Sequence, residues 1–320
     1  MKKKILVIAA AMLILALALS ACGGGTKMVM GTGSETGTYY AFGGVLGQII
    51  GKNTDLSVTA VSTGGSKENI LNIDAGSNQL GTVQNDVMSY AYNGTNTFAE
   101  EGAITSFRVV AGLYAEQVQI VTLDENIKTV ADLAGKSVSI GVAGSGVYFN
   151  AIDILGAYGL TETDINAQYL SFGDSTESMK DGKIDAAFIV AGAPTTAISD
   201  LATSNEVYLV SIDDEHAATL MERCPYYTQY TIPAGTYNGL DEDVKTVTVK
   251  ATLIVSADAA EDDVYELTKA IFENIDAITE GHSKGAELSL ENAVDGIDVP
   301  FHAGAARYFA EQGITVAVAD

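Results

Sequence analysis

The run Met28-Val29-Met30-Gly31-Thr32-Gly33-Ser34-Glu35-Thr36-Gly37-Thr38-Tyr39-Tyr40 decides the fold. A short apolar stretch stops at Gly31, a loop of small and polar residues follows, and apolar positions then take helical spacing, with Tyr39, Phe42, Leu46 and Ile49 on one face. This is strand, loop, helix. The same order recurs at once, with residues 56–61 as a strand, 66–75 as a helix and 80–83 as a third strand. Strands that alternate with helices predict an α/β fold with a largely parallel sheet.

A second series of the same kind starts near residue 118. Its expected strands are 118–123, 137–141, 167–170, 184–190 and 207–212, and its helices 130–133, 147–157 and 175–181. Beyond it, 247–255 reads as a strand, and 262–278 and 304–312 as helices that return to the first series. Two lobes result, residues 28–117 with 250–320 and residues 118–249, with hinges near 115–119 and 247–252. Loops 31–37, 62–66 and 84–86 of one lobe, and 141–146, 172–175 and 191–194 of the other, fall at the carboxyl edges of strands, where open α/β folds bind ligands. Two such edges face to face make a cleft.

Composition narrows the function. Of 320 residues 47% are hydrophobic and 18% charged, enough apolar material for two packed lobes, which excludes a disordered chain. Asp and Glu number 41 against 17 Lys and Arg, a formal charge of −24 that repels phosphate backbones and excludes nucleic acid as a partner. Lys2-Lys3-Lys4, an apolar run from Ile5 to Leu19 and then Ser20-Ala21-Cys22 read as a lipoprotein export signal over residues 1–21. The run is short of the ~20 residues that span a bilayer, so an uncleaved anchor is the lesser reading. Cleavage would take the charge to −27, leave Cys22 as a lipid-bearing N-terminus, and let residues 22–27 tether the lobes to the outer face of a cytoplasmic membrane. Cys224 then has no disulfide partner.

Enzyme signatures each fail at a position their mechanism requires. Thr36 stands where a dinucleotide loop starting at Gly31 needs its third Gly, and Val130 where a phosphate loop ending in Gly135-Lys136-Ser137 needs its first. Ala143 and Val147 flank Ser145 where a hydrolase elbow needs Gly. His216, His282 and His302 lack metal-ligand spacing. No catalytic residue, metal or cofactor is expected. What remains is hydrogen bonding, because Gly-rich loops at helix starts expose N–H groups and the helix dipole adds positive charge, so an anion can be held without Lys or Arg. The candidate ligand contacts are Gly33, Ser34, Tyr39, Tyr40, Ser66, Gln84, Ser145, Gly146, Val147, Ala193 and Pro194. Ser66 and Ser145 suit a helix N-cap equally well. Of Tyr39 and Tyr40, one faces away from the other. Asp86 and Glu116 read as surface or capping residues, since a carboxylate repels an anionic ligand.

Taken in order, Gly64-Gly65-Ser66-Lys67-Glu68-Asn69, Val83-Gln84-Asn85-Asp86, Leu113-Tyr114-Ala115-Glu116, Gly144-Ser145-Gly146 and Ile232-Pro233-Ala234-Gly235 resemble the TAXI family, solute receptors of tripartite ATP-independent periplasmic (TRAP) transporters. The resemblance runs over nearly the whole mature chain. It implies a type II periplasmic-binding-protein fold whose cleft closes on a small organic anion such as glutamate or 2-oxoglutarate, and delivery to a TRAP membrane permease. Val147 stands where the family usually has Thr, and Ala303 where it has Pro. The alternatives are a receptor for an ATP-driven (ABC) importer or a sensor, and an enzyme on the same fold.

Overall fold

The computed structural model describes residues 25–319; the export signal and Cys22 lie outside the described residues. The chain begins with β1 (Lys27–Gly31), α1 (Thr38–Asn53), β2 (Ser57–Val61), α2 (Ser66–Asp74), β3 (Leu80–Gln84) and α3 (Asn85–Asn93). A long strand, β4 (Phe107–Thr122), leads into β5 (Ser137–Ser139), α4 (Gly146–Ala157), β6 (Asn166–Gln168), α5 (Phe172–Lys180) and β7 (Ala186–Ala191). Then come α6 (Thr196–Leu201), β8 (Tyr208–Val210), α7 (Asp214–Arg223) and β9 (Thr228–Ile232). A second long strand, β10 (Val244–Ser256), precedes α8 (Glu261–Phe272), α9 (Ile275–Gly281), α10 (Leu290–Val294) and α11 (Ala303–Glu311).

Each lobe has a small parallel sheet: β1 lies between β2 and β3, and β5 between β6 and β7. Between them β4 and β10 run antiparallel to each other, β10 against β3 and β4 against β7. The order β2-β1-β3-β10-β4-β7-β5-β6 is therefore mixed, where a largely parallel sheet was expected. β4 and β10 are the links between lobes. Their apolar side chains change cores along the strand: Tyr114 and Ala251 pack with Phe42, Leu46 and Phe309, whereas Val118 and Val249 pack with Val138, Ile154 and Phe188. A third cluster, with Ile189, Ile198 and Leu201, covers the other face of β7. At the change of core the β4–β10 ladder slips register between Lys250 and Thr252, a bulge that bends the pair.

In α1, Phe42, Leu46 and Ile50 are fully buried at four-residue spacing, so the stripe that faces the sheet is the one the sequence marks, with Tyr39 and Ile49 at its margin. Other elements depart from expectation. The strand foreseen at 118–123 is the second half of the sixteen-residue β4, which is buried along almost its whole length and so shows no alternation to read. The helix foreseen at 130–133 is a 3₁₀ turn closed by a capping box between Thr129 and Asp132. The helix foreseen at 262–278 is broken at Asn274 into α8 and α9.

Side-chain hydrogen bonds hold the first lobe's loops in place. Asn69, fully buried on α2, donates Nδ2 to the carbonyls of Thr32 (2.7 Å) and Thr82 (2.8 Å) and accepts from Thr63 Oγ1 (2.7 Å). One amide thus ties together the ends of β1 and β3 and the loop before α2. Gly31 is required beside it, because a Cβ there would overlap Asn69 Oδ1. Ser62 Oγ and the Thr63 amide both donate to the Gly33 carbonyl, which joins loop 62–66 to loop 31–37.

Candidate ligand-binding cleft

Loops at the carboxyl edges of both lobes enclose a cavity of about 360 Å³. Four helices begin on its wall, α1, α2, α4 and α5, and residues of each first turn line it. The first amides of a helix have no intrahelical partner, and the aligned peptide dipoles add to their positive end. Glycines open α1 and α2: neither Gly37 nor Gly65 offers a capping side chain, and Gly65, at φ 101°, holds a conformation that side chains resist. Serines open the other two. Ser145 Oγ accepts from the Tyr148 amide at 3.2 Å, and Ser171 Oγ from that of Asp174, also at 3.2 Å.

The structure brings together eight of the eleven candidate contacts: Gly33, Ser34, Tyr39, Ser66, Gln84, Ser145, Gly146 and Val147 all line the cavity. Tyr40, Ala193 and Pro194 stand outside the lining. Tyr40 follows Tyr39 by one helical step, about 100° around the axis, so only one of the two rings can face the cavity. Ala193 instead donates its amide to Gln117 Oε1 at 2.8 Å, in line with the hinge strand. Ser66 is not an N-cap: it is the first residue of α2, and its Oγ accepts from the Gln84 amide at 3.1 Å. Ser145 does cap α4.

Glu116 was read as a surface or capping residue and is corrected. It is 2% exposed, lies on β4 where the strand changes core, and lines the cavity, where Tyr39 Oη donates to its Oε2 at 2.6 Å. Strand alternation explains the inward turn: Ala115 and Gln117 point to the opposite face, where buried Lys284 reaches Gln117 Oε1 (3.3 Å) and pairs with Glu287 (2.6 Å). Asp86 is likewise fully buried, not on the surface. Burial raises Glu116 to about 8, with the Tyr39 hydrogen bond and Lys284 opposing, and raises Asp86 to about 7. Phe172, Thr36 and Thr63, which fall in loops the sequence marked but not among its candidate contacts, also line the cavity, as does Ser171 just outside them. Among the lining residues Glu35, Glu116 and Asp174 are acidic and none is Lys or Arg. Any negative ligand group must therefore be held by neutral donors.

The lobes touch across the cavity. Thr38 Oγ1 donates to the Gly192 carbonyl (2.9 Å), the Ala197 amide to the Thr36 carbonyl (3.1 Å), and Gln84 Nε2 to Asn150 Oδ1 (2.9 Å). Gly146 allows this approach, since a Cβ there would overlap the Gln84 side-chain amide. Among the described residues no group of three His, Cys, Asp or Glu is placed to hold a metal, and no helix is long and apolar enough to cross a membrane.

Two α/β lobes joined by two strand crossovers around such a cleft make up the type II periplasmic-binding-protein fold. The chain belongs to the NMT1-like family, whose model matches residues 30–313. The fold is shared with PhnD1 from Prochlorococcus marinus in complex with methylphosphonate (11% identity, 81% of this chain and 89% of that one, TM-score 0.54). It is shared with a putative L-cystine ABC transporter protein from Listeria monocytogenes (15%, 82% and 98%, TM-score 0.52). It is also shared with the alkanesulfonate-binding protein SsuA from Xanthomonas axonopodis pv. citri bound to MOPS (16%, 91% and 92%, TM-score 0.51). The resemblance to the TAXI family of TRAP receptors is thereby corrected: the family matched is NMT1-like, and the neighbours include a component of an ABC transporter. Shared glycine-rich loops followed a fold common to several receptor classes, and short motifs do not tell one class from another.

The raised Glu116 carboxyl has a measurable consequence. The folded chain keeps a proton that the unfolded chain releases above about pH 4.3. This stabilisation is fully present below that value and is lost as pH rises through about 8. Glu116→Gln removes the titration, so its melting temperature relative to the parent should climb between pH 5 and 8 by roughly a few degrees. Thermal melts at stepped pH read this directly; a constant difference would mean that Glu116 does not titrate in that range.

Proposed function

We propose that the chain is an extracytoplasmic receptor that captures a small organic anion, a carboxylate or an acidic amino acid, and passes it to an ABC importer in the membrane. One observation carries the reading: four helix N-termini open on a cavity whose lining holds no Lys or Arg. A cavity of about 360 Å³ suits a small molecule and not a polymer. The neighbours that carry alkanesulfonate and methylphosphonate in their names support an anionic head group. The L-cystine transporter component supports the importer.

In this reading residues 28–117 with 250–320 form one lobe and 118–249 the other, and the solute bridges them. Contacts from both sides favour the closed arrangement, so binding shifts the population toward it. Gly33, Ser34, Ser66, Ser145, Gly146 and Val147 supply or shape the donor wall, while Tyr39 and Phe172 bound the body of the solute. The signal over residues 1–21 directs export, and lipid on Cys22 anchors the receptor. Cys22→Ala should free the chain from the membrane fraction, and retention of both processing and attachment would remove the anchor from the account.

Calorimetry with a panel of carboxylates tests the cleft. Ser145→Ala should weaken binding by about 1–3 kcal/mol, the loss of one hydrogen bond to a charged partner or of the helix cap that orients its neighbours. Ser145→Asp should weaken it far more, because it sets a like charge against the anion. Circular dichroism first establishes that each variant is folded. Equal binding by Ser145→Asp and the parent would place the anion elsewhere.

A further inference from the structure

Behind the cleft a chain of hydrogen bonds leads from two carboxylates to the cavity wall. Tyr227 Oη donates to Asp153 Oδ2 at 3.3 Å, which leaves the Tyr227 oxygen as an acceptor for Asn150 Nδ2 at 2.7 Å. The same nitrogen donates to Asp86 Oδ2 at 3.1 Å. An ionised carboxylate only accepts, so with Asp86 ionised, above about pH 7, both arms require Asn150 to turn its NH₂ group toward them. Its Oδ1 is then turned toward Gln84 and must be met by a donor, which is Gln84 Nε2 at 2.9 Å. Gln84 has only its carbonyl left. That oxygen is itself buried, against Gly146, and has no hydrogen-bond partner within the protein, while Gln84 lines the cavity.

An amide that could rotate freely would offer its NH₂ to an anion. Here the rotation is blocked: turning Gln84 over would set its oxygen against Asn150 Oδ1, and turning Asn150 over would set that oxygen against Asp86 and the Tyr227 oxygen. Asn150 is itself fully buried, so water cannot relieve either clash. We propose that Asn150, held by Asp86 and Tyr227, is a positioning residue for specificity: it fixes Gln84 so that its carbonyl receives an N–H or O–H group carried by the solute beside its anionic group. The inference rests on the cleft being an organic-anion site and narrows it. A solute that brings only acceptors leaves the Gln84 carbonyl unpaired and next to negative charge, with the Glu116 carboxyl on the same wall. An amino acid or hydroxy acid satisfies both.

The test is calorimetry on the folded chain with pairs that share an anionic group and a carbon skeleton and differ in one donor: L-glutamate and glutarate, L-leucine and 4-methylpentanoate, L-malate and succinate. In the pair that binds, the donor-bearing member should bind the parent about tenfold or more tightly than its partner. Gln84→Met, of similar shape without the carbonyl, should bring that ratio to within about threefold. Asn150→Leu, which frees Gln84 to rotate, should do the same. Asn150→Asp, measured at a pH where it and Asp86 share one proton, still accepts from Gln84 Nε2 and should keep the ratio, even where absolute affinity falls. A purely structural role for Asn150 would weaken both members of a pair alike and leave the ratio in Asn150→Leu at the parent's value, and a Gln84 carbonyl without a role would leave it unchanged in Gln84→Met; either result overturns the proposal. So does a parent that binds both members equally, while the anion site itself stands. If no member of any pair binds, the anion reading falls, and this inference with it. If Asn150→Leu fails to fold, Asn150→Ala, which also frees Gln84 to rotate, takes its place, and Gln84→Met still decides whether the carbonyl sets the ratio.

Discussion

Unpaired amides at helix N-termini must find acceptors, and in this chain four sets of them meet at one cavity whose lining holds no Lys or Arg. Much of the surrounding structure serves that arrangement. Gly31 and Asn69 fix the loop before α1 against the loop before α2, Gly65 takes a positive φ so that α2 can start where it does, and Gly146 lets α4 come against Gln84. The acidic composition and the lining agree: a chain of formal charge −24 leaves backbone dipoles as the positive ends on a wall without Lys or Arg.

The crossover between lobes follows from β4 and β10. Each is long enough to serve two cores, and at the point where it changes core it carries polar groups whose partners lie on both faces. Glu116 meets Tyr39 on the cavity side, and Gln117 meets Lys284 and the Ala193 amide on the other. The same strand that links the lobes thus touches the cavity through Glu116. A larger cavity of about 500 Å³ lies on the Ala115 and Lys250 side, bounded by Tyr226 of one lobe and Asn292 of the other. Strand alternation puts it on the face opposite Glu116.

Much of this was legible in the sequence, and the failures have physical causes. Gly-rich loops between strand and helix patterns announced the α/β lobes and eight of the cavity residues, because the backbone geometry needed there is written in the residue types. The continuity of β4 was not legible, since a strand buried on both faces loses its alternation and Gly112 with Glu116 interrupts the apolar run. Glu116 and Asp86 were misplaced because charge argues for the surface, and only tertiary partners such as Tyr39 and Asn150 make their burial tolerable. The family was misjudged for another reason: loops that build a shared fold say little about which transporter the fold serves.

The central claim is that backbone amides at helix N-termini, and not side-chain cations, hold the solute's anionic group. A crystal structure of the complex with the solute that co-purifies with the chain tests it most directly. The account requires the anionic group within hydrogen-bonding distance of first-turn amides of α4 and of α1 or α2, with no Lys or Arg side chain in contact. An anionic group bound to a Lys or Arg side chain, or a solute seated in the cavity between Tyr226 and Asn292, would contradict it.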